Sequence, residues 1–175
     1  EIVDQKLPIN MNCAARTRIA DVEPIVRVSG EVGVPIEAAT FIGSSSIRQY
    51  AEDWTLDRML RVSEEAVTYA VTNGLPVMYV TEDTTRAKPE TLKALYGAAI
   101  RCGARRICLA DTVGFATPSR VRALIKFVQD EIVPKVHELE HGALPPYEVL
   151  RKMFGAFGMR DMGQMRAEQA VARAK

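Results

Sequence analysis

Histidine is nearly absent from this sequence: His137 and His141 are the only two among 175 residues. A centre built on several imidazoles is thereby confined to one short stretch. Cysteine is sparse as well. Cys13, Cys102 and Cys108 are odd in number and lack metal-ligand spacing, which reads as buried, reduced thiols rather than a disulfide scaffold. No apolar run reaches the roughly 20 residues that span a bilayer, and no secretory signal opens the chain. No membrane association is therefore expected, and the cytoplasm is the expected compartment. An excess of one charge is missing too: 23 Lys and Arg stand against 22 Asp and Glu, a formal net charge of +1. That balance gives no support to nucleic-acid binding. Neither G-x-G-x-x-G nor a P-loop occurs, so nucleotide-binding versions of an α/β fold lose weight.

What is present is an ordinary globular composition, 47% hydrophobic and 26% charged, with length for one domain and a sizeable core. The stretch Arg106 to Pro118, RICLADTVGFATP, organises the rest. Ile107 to Ala110 read as a strand buried on both faces, Asp111-Thr112 as a polar loop at its carboxyl end. Pro118 opens a helix carrying Val121, Leu124, Ile125 and Val128. In parallel sheets the groups that do chemistry sit where strands stop.

The same plan recurs upstream. A short strand over Ile9 to Ala15 ends at Arg16, and a helix over Ala20 to Val32 closes at Gly33. A second strand, Ile36 to Ile42, delivers Gly43 and three serines. A helix from Leu56 to Thr72 ends at Asn73-Gly74. The third strand, Leu75 to Val80, delivers Thr81-Glu82-Asp83, and its helix begins near Pro89, a residue suited to a first turn. Strands alternating with helices at this spacing call for βαβ crossovers and a parallel sheet, either a closed barrel or an open doubly wound sheet. Polar residues after every strand (Arg16, Ser44 and Ser45, Glu82, Thr112) fit a barrel mouth better than one Gly-rich turn does. Only four units are visible, about half of a barrel of ~250 residues.

VTEDTTRAKPE (Val80 to Glu90) and ICLADTVGFATP (Ile107 to Pro118) resemble the fifth and sixth strands of the metal-dependent Claisen-condensing TIM barrels. That family includes the 2-isopropylmalate, citramalate and homocitrate synthases, with hydroxymethylglutaryl-CoA lyase as a relative. FIGSSSIRQY (Phe41 to Tyr50) is similar to its fourth strand and loop, and the resemblance covers Ile9 to Val136. It implies an α/β fold, a partial (β/α)8 TIM barrel of about four units over residues 1–136, followed by a helical tail over 137–175. The implied activity is an acyltransfer in which acetyl-CoA condenses with a 2-oxo acid held on a divalent metal (Mg, Mn or Zn). A homodimer is expected with it. Carried over, Glu82 and Thr112 are the catalytic pair: Glu82 beside the 2-oxo acid pocket, and Thr112 donating its hydroxyl to the substrate carboxylate. Asp111 and Arg86 support the strand ends, Ser44 and Ser45 line the site, and Arg16 is a further anion partner.

Two departures from the family pattern follow. Homocitrate synthases carry an arginine four residues before this glutamate and a serine two before it, where this chain has Met78 and Val80. An apolar wall there implies a short or branched 2-oxo acid. The family's metal ligands, an aspartate in a D-T-T-L-R-D-G-like segment and a His-x-His, do not occur in this sequence. Residue by residue, duller roles stay open: Asp111 as a cap of its turn, Thr112 as a partner of local backbone, Glu82-Asp83 with Arg86 as a solvated charge cluster, and the serines as a loop and N-cap.

The tail departs from the βα plan. His137-Glu138-Leu139-Glu140-His141 matches the H-E-x-x-H zinc pattern, with Glu148 as a conceivable third ligand, but Pro134 and Gly142 bracket it closely. Pro145-Pro146 opens a helix to about Phe157, and Met162 to Lys175 form another. Three functions of different class are thus in play: a Claisen-type acyltransferase, a non-catalytic half-barrel whose open edges pair with another chain (or a lyase or aldolase relative), and a zinc hydrolase using His137 and His141.

Overall fold

In a computed structural model, residue 5 and residues 9–134 are described; the first compact unit of the chain runs Glu1–Ile132. His137, His141, Glu148 and the two tail helices lie outside the described residues. Four parallel strands, β1 (Asn12–Arg16), β2 (Glu37–Gly43), β3 (Val77–Glu82) and β4 (Arg106–Leu109), lie in sequence order in one sheet. Five helices accompany them: α1 (Ile19–Val32), α2 (Ser46–Ala51), α3 (Leu56–Thr72), α4 (Pro89–Arg101) and α5 (Pro118–Phe127).

The order decides between the two sheets left open by the sequence. A doubly wound sheet reverses strand order at a switch point and so carries helices on both faces. Here the order never reverses, α1 packs on β1 and β2, α3 on β2 and β3, and α4 on β3. This is barrel-type winding.

Register shows which residues each face receives. Ala15, Thr40, Tyr79 and Ile107 stand in one row across the sheet and are buried under the helices. Within β3, Val77, Tyr79 and Thr81 are buried while Met78, Val80 and Glu82 are half-buried, the alternation a pleated strand imposes. Against the buried face pack Val22 and Ile25 of α1, Met59, Ala66, Val67 and Ala70 of α3, and Leu92, Leu95, Tyr96, Ala98 and Ala99 of α4. The small residues let helices approach the strands closely, and the large ones fill the gaps.

Differences from the sequence reading are local. β3 starts at Val77 rather than Leu75 because Pro76 has no N–H for the ladder, although its carbonyl still accepts from Ala38 N at 2.9 Å. β1 is limited to the five residues that find partners in β2. The serine loop contains a helix the sequence reading passed over, α2, with Ser45 as its N-cap: Ser45 Oγ accepts from Arg48 N at 3.3 Å. Six residues are too few to show a periodic stripe. The expectation of buried thiols is corrected: Cys13 is exposed on β1, an edge strand of the described sheet, and Cys102 and Cys108 are half-buried. All three are free.

Candidate active site

Strands that run parallel end at one edge, and the polar residues are delivered there. Ser44, just past β2, donates through both its backbone N and its Oγ to the carbonyl of Glu82, each at 2.9 Å. Gln49 Nε2 holds the Ser44 carbonyl at 2.9 Å. The β2 and β3 ends are therefore tied, and Glu82 is the last residue of its strand with its carboxylate turned to the half-exposed face.

Asp83 follows with φ of 60°, a left-handed conformation that a non-glycine residue adopts only where its surroundings hold it. Its holders are visible. Arg86 Nε and Nη2 grip the carboxylate at 2.6–3.0 Å, and the Asp83 N–H donates to Thr112 Oγ1 at 2.9 Å. Asp83 is 2% exposed, which overturns the solvated-cluster alternative. The Arg86 fork, helped by the Ser45 hydroxyl, holds the Asp83 carboxyl below its ordinary range despite burial.

The β3 and β4 ends are joined by a side chain that imitates a strand. Thr84 N donates to Ala110 O at 3.0 Å, and Thr84 Oγ1 accepts from Ala110 N at 2.9 Å. The same hydroxyl donates to the Thr81 carbonyl. Tyr96 OH donates to Cys108 O at 2.8 Å, so the single proton of Thr81 Oγ1 goes to Tyr96 or to Thr84. Burial pushes the Tyr96 phenol well above its ordinary range, so it stays a donor. Beyond this lock, Asp111 accepts from Thr85 Oγ1 at 2.7 Å and from Phe115 N and Ala116 N at 3.0 and 3.1 Å. These bonds, the Thr85 hydroxyl first, lower the Asp111 carboxyl. Asp111 therefore does cap its turn, and Gly114 at φ 66° completes that turn.

Six of the seven residues singled out here are brought together: Ser44, Ser45, Glu82, Arg86, Asp111 and Thr112 form one chain of contacts along this edge. Arg16 stands at the end of β1 but is not linked to that chain. Its guanidinium is forked onto Asp21 at the start of α1, and its side chain is 61% exposed. The sequence reading missed Asp83, Thr84 and Tyr96, which fix the geometry, and Arg48, whose Nε lies 3.7 Å from Glu82 Oε1. The E-D-x-x-R spacing was a usable signal for the Asp83–Arg86 pair. Nothing local announced the others, because their partners are distant in sequence.

The family model described as HMGL-like matches residues 1–142. The chain belongs to the HMGL-like family. A 2-isopropylmalate synthase of Campylobacter concisus is 35% identical over 124 residues, covering 66% of this chain and 25% of that protein. A homocitrate synthase of Sulfolobus acidocaldarius is 41% identical over 100 residues, covering 55% and 21% respectively. The chain thus spans about a quarter of the length of these curated relatives. The crystal structure of hydroxymethylglutaryl-CoA lyase from Pseudomonas aeruginosa aligns with a TM-score of 0.59 at 19% identity, covering 74% of this chain and 44% of that one. That likeness establishes the partial TIM-barrel fold.

HMGL-like enzymes generally depend on a divalent metal. Among the described residues, no three His, Cys, Asp or Glu side chains converge in a way that would hold one. Asp83 and Asp111 are already engaged by Arg86, Thr85 and backbone N–H groups. The residues at this edge do not form a metal cage.

Proposed function

We propose that this chain carries part of the active site of an acyltransferase that condenses acetyl-CoA with a short 2-oxo acid, as a cytoplasmic homodimer. One observation carries the reading. The Thr112 hydroxyl accepts from Asp83 N, and no described acceptor takes its own proton. A hydroxyl fixed in that way is a ready donor to a carboxylate oxygen. Beside it Glu82 ends β3 with a half-buried carboxylate that no described group hydrogen-bonds, so its oxygens keep the capacity to receive a proton. Thr112 would orient the oxo acid, while Glu82 faces the carbon where the acetyl methyl loses a proton and attacks. Ser44, Asp83, Arg86 and Asp111 hold these two in place.

In the full-length protein, Glu82→Gln and Thr112→Ala should each lower turnover by about 100-fold, measured as thiol release from acetyl-CoA with a 2-oxo acid, while the melting temperature stays within a few degrees of wild type. Wild-type rates in both variants would refute the assignment.

A further inference from the structure

Arg48 is a charged residue beside Glu82 that the proposed reaction leaves without a task. It sits on α2 behind the Ser45 cap, and its Nη2 lies 3.4 Å from Glu52 on the exposed side. The inner atom is different. Arg48 Nε is shielded from solvent and has no hydrogen-bond partner among the described residues, and it faces Glu82 Oε1 at 3.7 Å. An unpartnered buried N–H costs about 1–3 kcal/mol, more for a charged group, so a side chain with one exposed end has every reason to swing it outward.

It is kept inward by the way the strand is built. Gly43, the last residue of β2, pairs in register with Glu82. A Cβ at residue 43 would stand 2.9 Å from Arg48 Nε and 3.0 Å from Arg48 Cβ. The Arg48 side chain therefore lies directly over the glycine, in a space that a side chain at residue 43 would contest, with its Nε toward Glu82. The remaining gap is less than one ångström beyond hydrogen-bond reach, a distance that a small carboxylate rotation closes.

We infer that Arg48 is the positioning residue of Glu82: it holds the carboxylate in its working orientation through Nε, and Gly43 is the clearance that lets it do so. The inference rests on Glu82 having the role given above. It makes Glu82, Arg48 and Gly43 one unit, and units behave non-additively under substitution.

The experiment is a kinetic cycle on the full-length protein with Arg48→Gln, Gly43→Ala, Glu82→Gln and the double variant Arg48→Gln/Glu82→Gln. Arg48→Gln should lower kcat about 10- to 100-fold while the KM for the 2-oxo acid moves less than about threefold, because a misaimed group costs rate rather than binding. Gly43→Ala should reproduce that split without removing any functional group. The double variant should be no slower than Glu82→Gln alone, within about threefold. Arg48→Lys, which keeps the charge but not the Nε donor, should not restore the rate. If Glu82→Gln is slow and Arg48→Gln is as fast as wild type, or if the two losses multiply, the positioning role is overturned and the proposed site stands. If Glu82→Gln retains wild-type rates, the positioning role falls together with the role given to Glu82.

Discussion

At the scale of single residues, the site depends on a buried charge. Asp83 takes a left-handed conformation that asparagine adopts about as readily, so Asp83→Asn removes the charge without adding backbone strain. In the folded chain the Asp83 carboxyl titrates below its ordinary range, chiefly because Arg86 hydrogen-bonds its charged form. A depressed carboxyl stabilises the fold above the unfolded value of about 3.9, and that contribution is lost as pH falls through the folded value. Asp83→Asn should therefore cost about 2 kcal/mol near pH 7, in the range of hydrogen bonds to charged groups. The gap between variant and wild type should be smaller in acid than at neutral pH, because the contribution is lost as the carboxyl takes up its proton in the folded chain. Urea unfolding at the two pH values checks this; a gap equally large in acid would show that Arg86 does not act on the ionised form. Thr112 would feel the change as well, because the residue whose N–H it accepts would no longer be clamped.

At the scale of elements, helices and strands announced themselves through period, and the ties between strands did not. A periodic apolar pattern is written within one segment, which is why the helix over Leu56–Thr72 was legible to the residue and the strand ends nearly so. Thr84 carries its meaning only beside Ala110, 26 residues on, where its hydroxyl and N–H replace a rung of the β3–β4 ladder. The same holds for Tyr96 against Cys108, for the ion pair between Glu37 and Arg106 that joins β2 to β4, and for Arg48 over Gly43. Of the candidate site, the residues on the strand ends were readable and their fastenings were not. If Thr84 is such a rung, Thr84→Val, which keeps the shape and deletes the hydroxyl, should leave Ala110 N without an acceptor. Hydrogen exchange at Ala110 should then quicken by about 10-fold or more beyond whatever change the β2 amides show, with a loss of about 1–3 kcal/mol in stability. Uniform acceleration across the sheet would mean that Thr84 serves global packing instead of joining two loops.

At the scale of the whole described unit, one face of the sheet belongs to helices and the other carries the proposed site. Unreversed strand order sends every described crossover to the same side, and the register then fixes which side chains share the other face. Phe41, Val80 and Cys108 lie in one row there and Ala39, Met78 and Arg106 in the next, both leading up to Glu82. Burial raises the Cys108 thiol above its ordinary range, so the Val80 row is neutral as well as apolar, and the charged Arg106 beside Met78 is already engaged by Glu37. A distal carboxylate laid along these rows would lose its water without gaining a cation, whereas a methyl or isopropyl group would gain from burial at about 25 cal/mol per Å². The proposed enzyme should accordingly use pyruvate or 2-oxoisovalerate in preference to 2-oxoglutarate by about 10-fold or more in kcat/KM. Met78→Arg, which places a cation four residues before Glu82 on the same face, should narrow or reverse that preference. Competition between the three oxo acids in a thiol-release assay decides it; a wild-type preference for 2-oxoglutarate would show that this face does not line the substrate pocket, since no reorientation of Met78 or Val80 makes them partners for a negative charge.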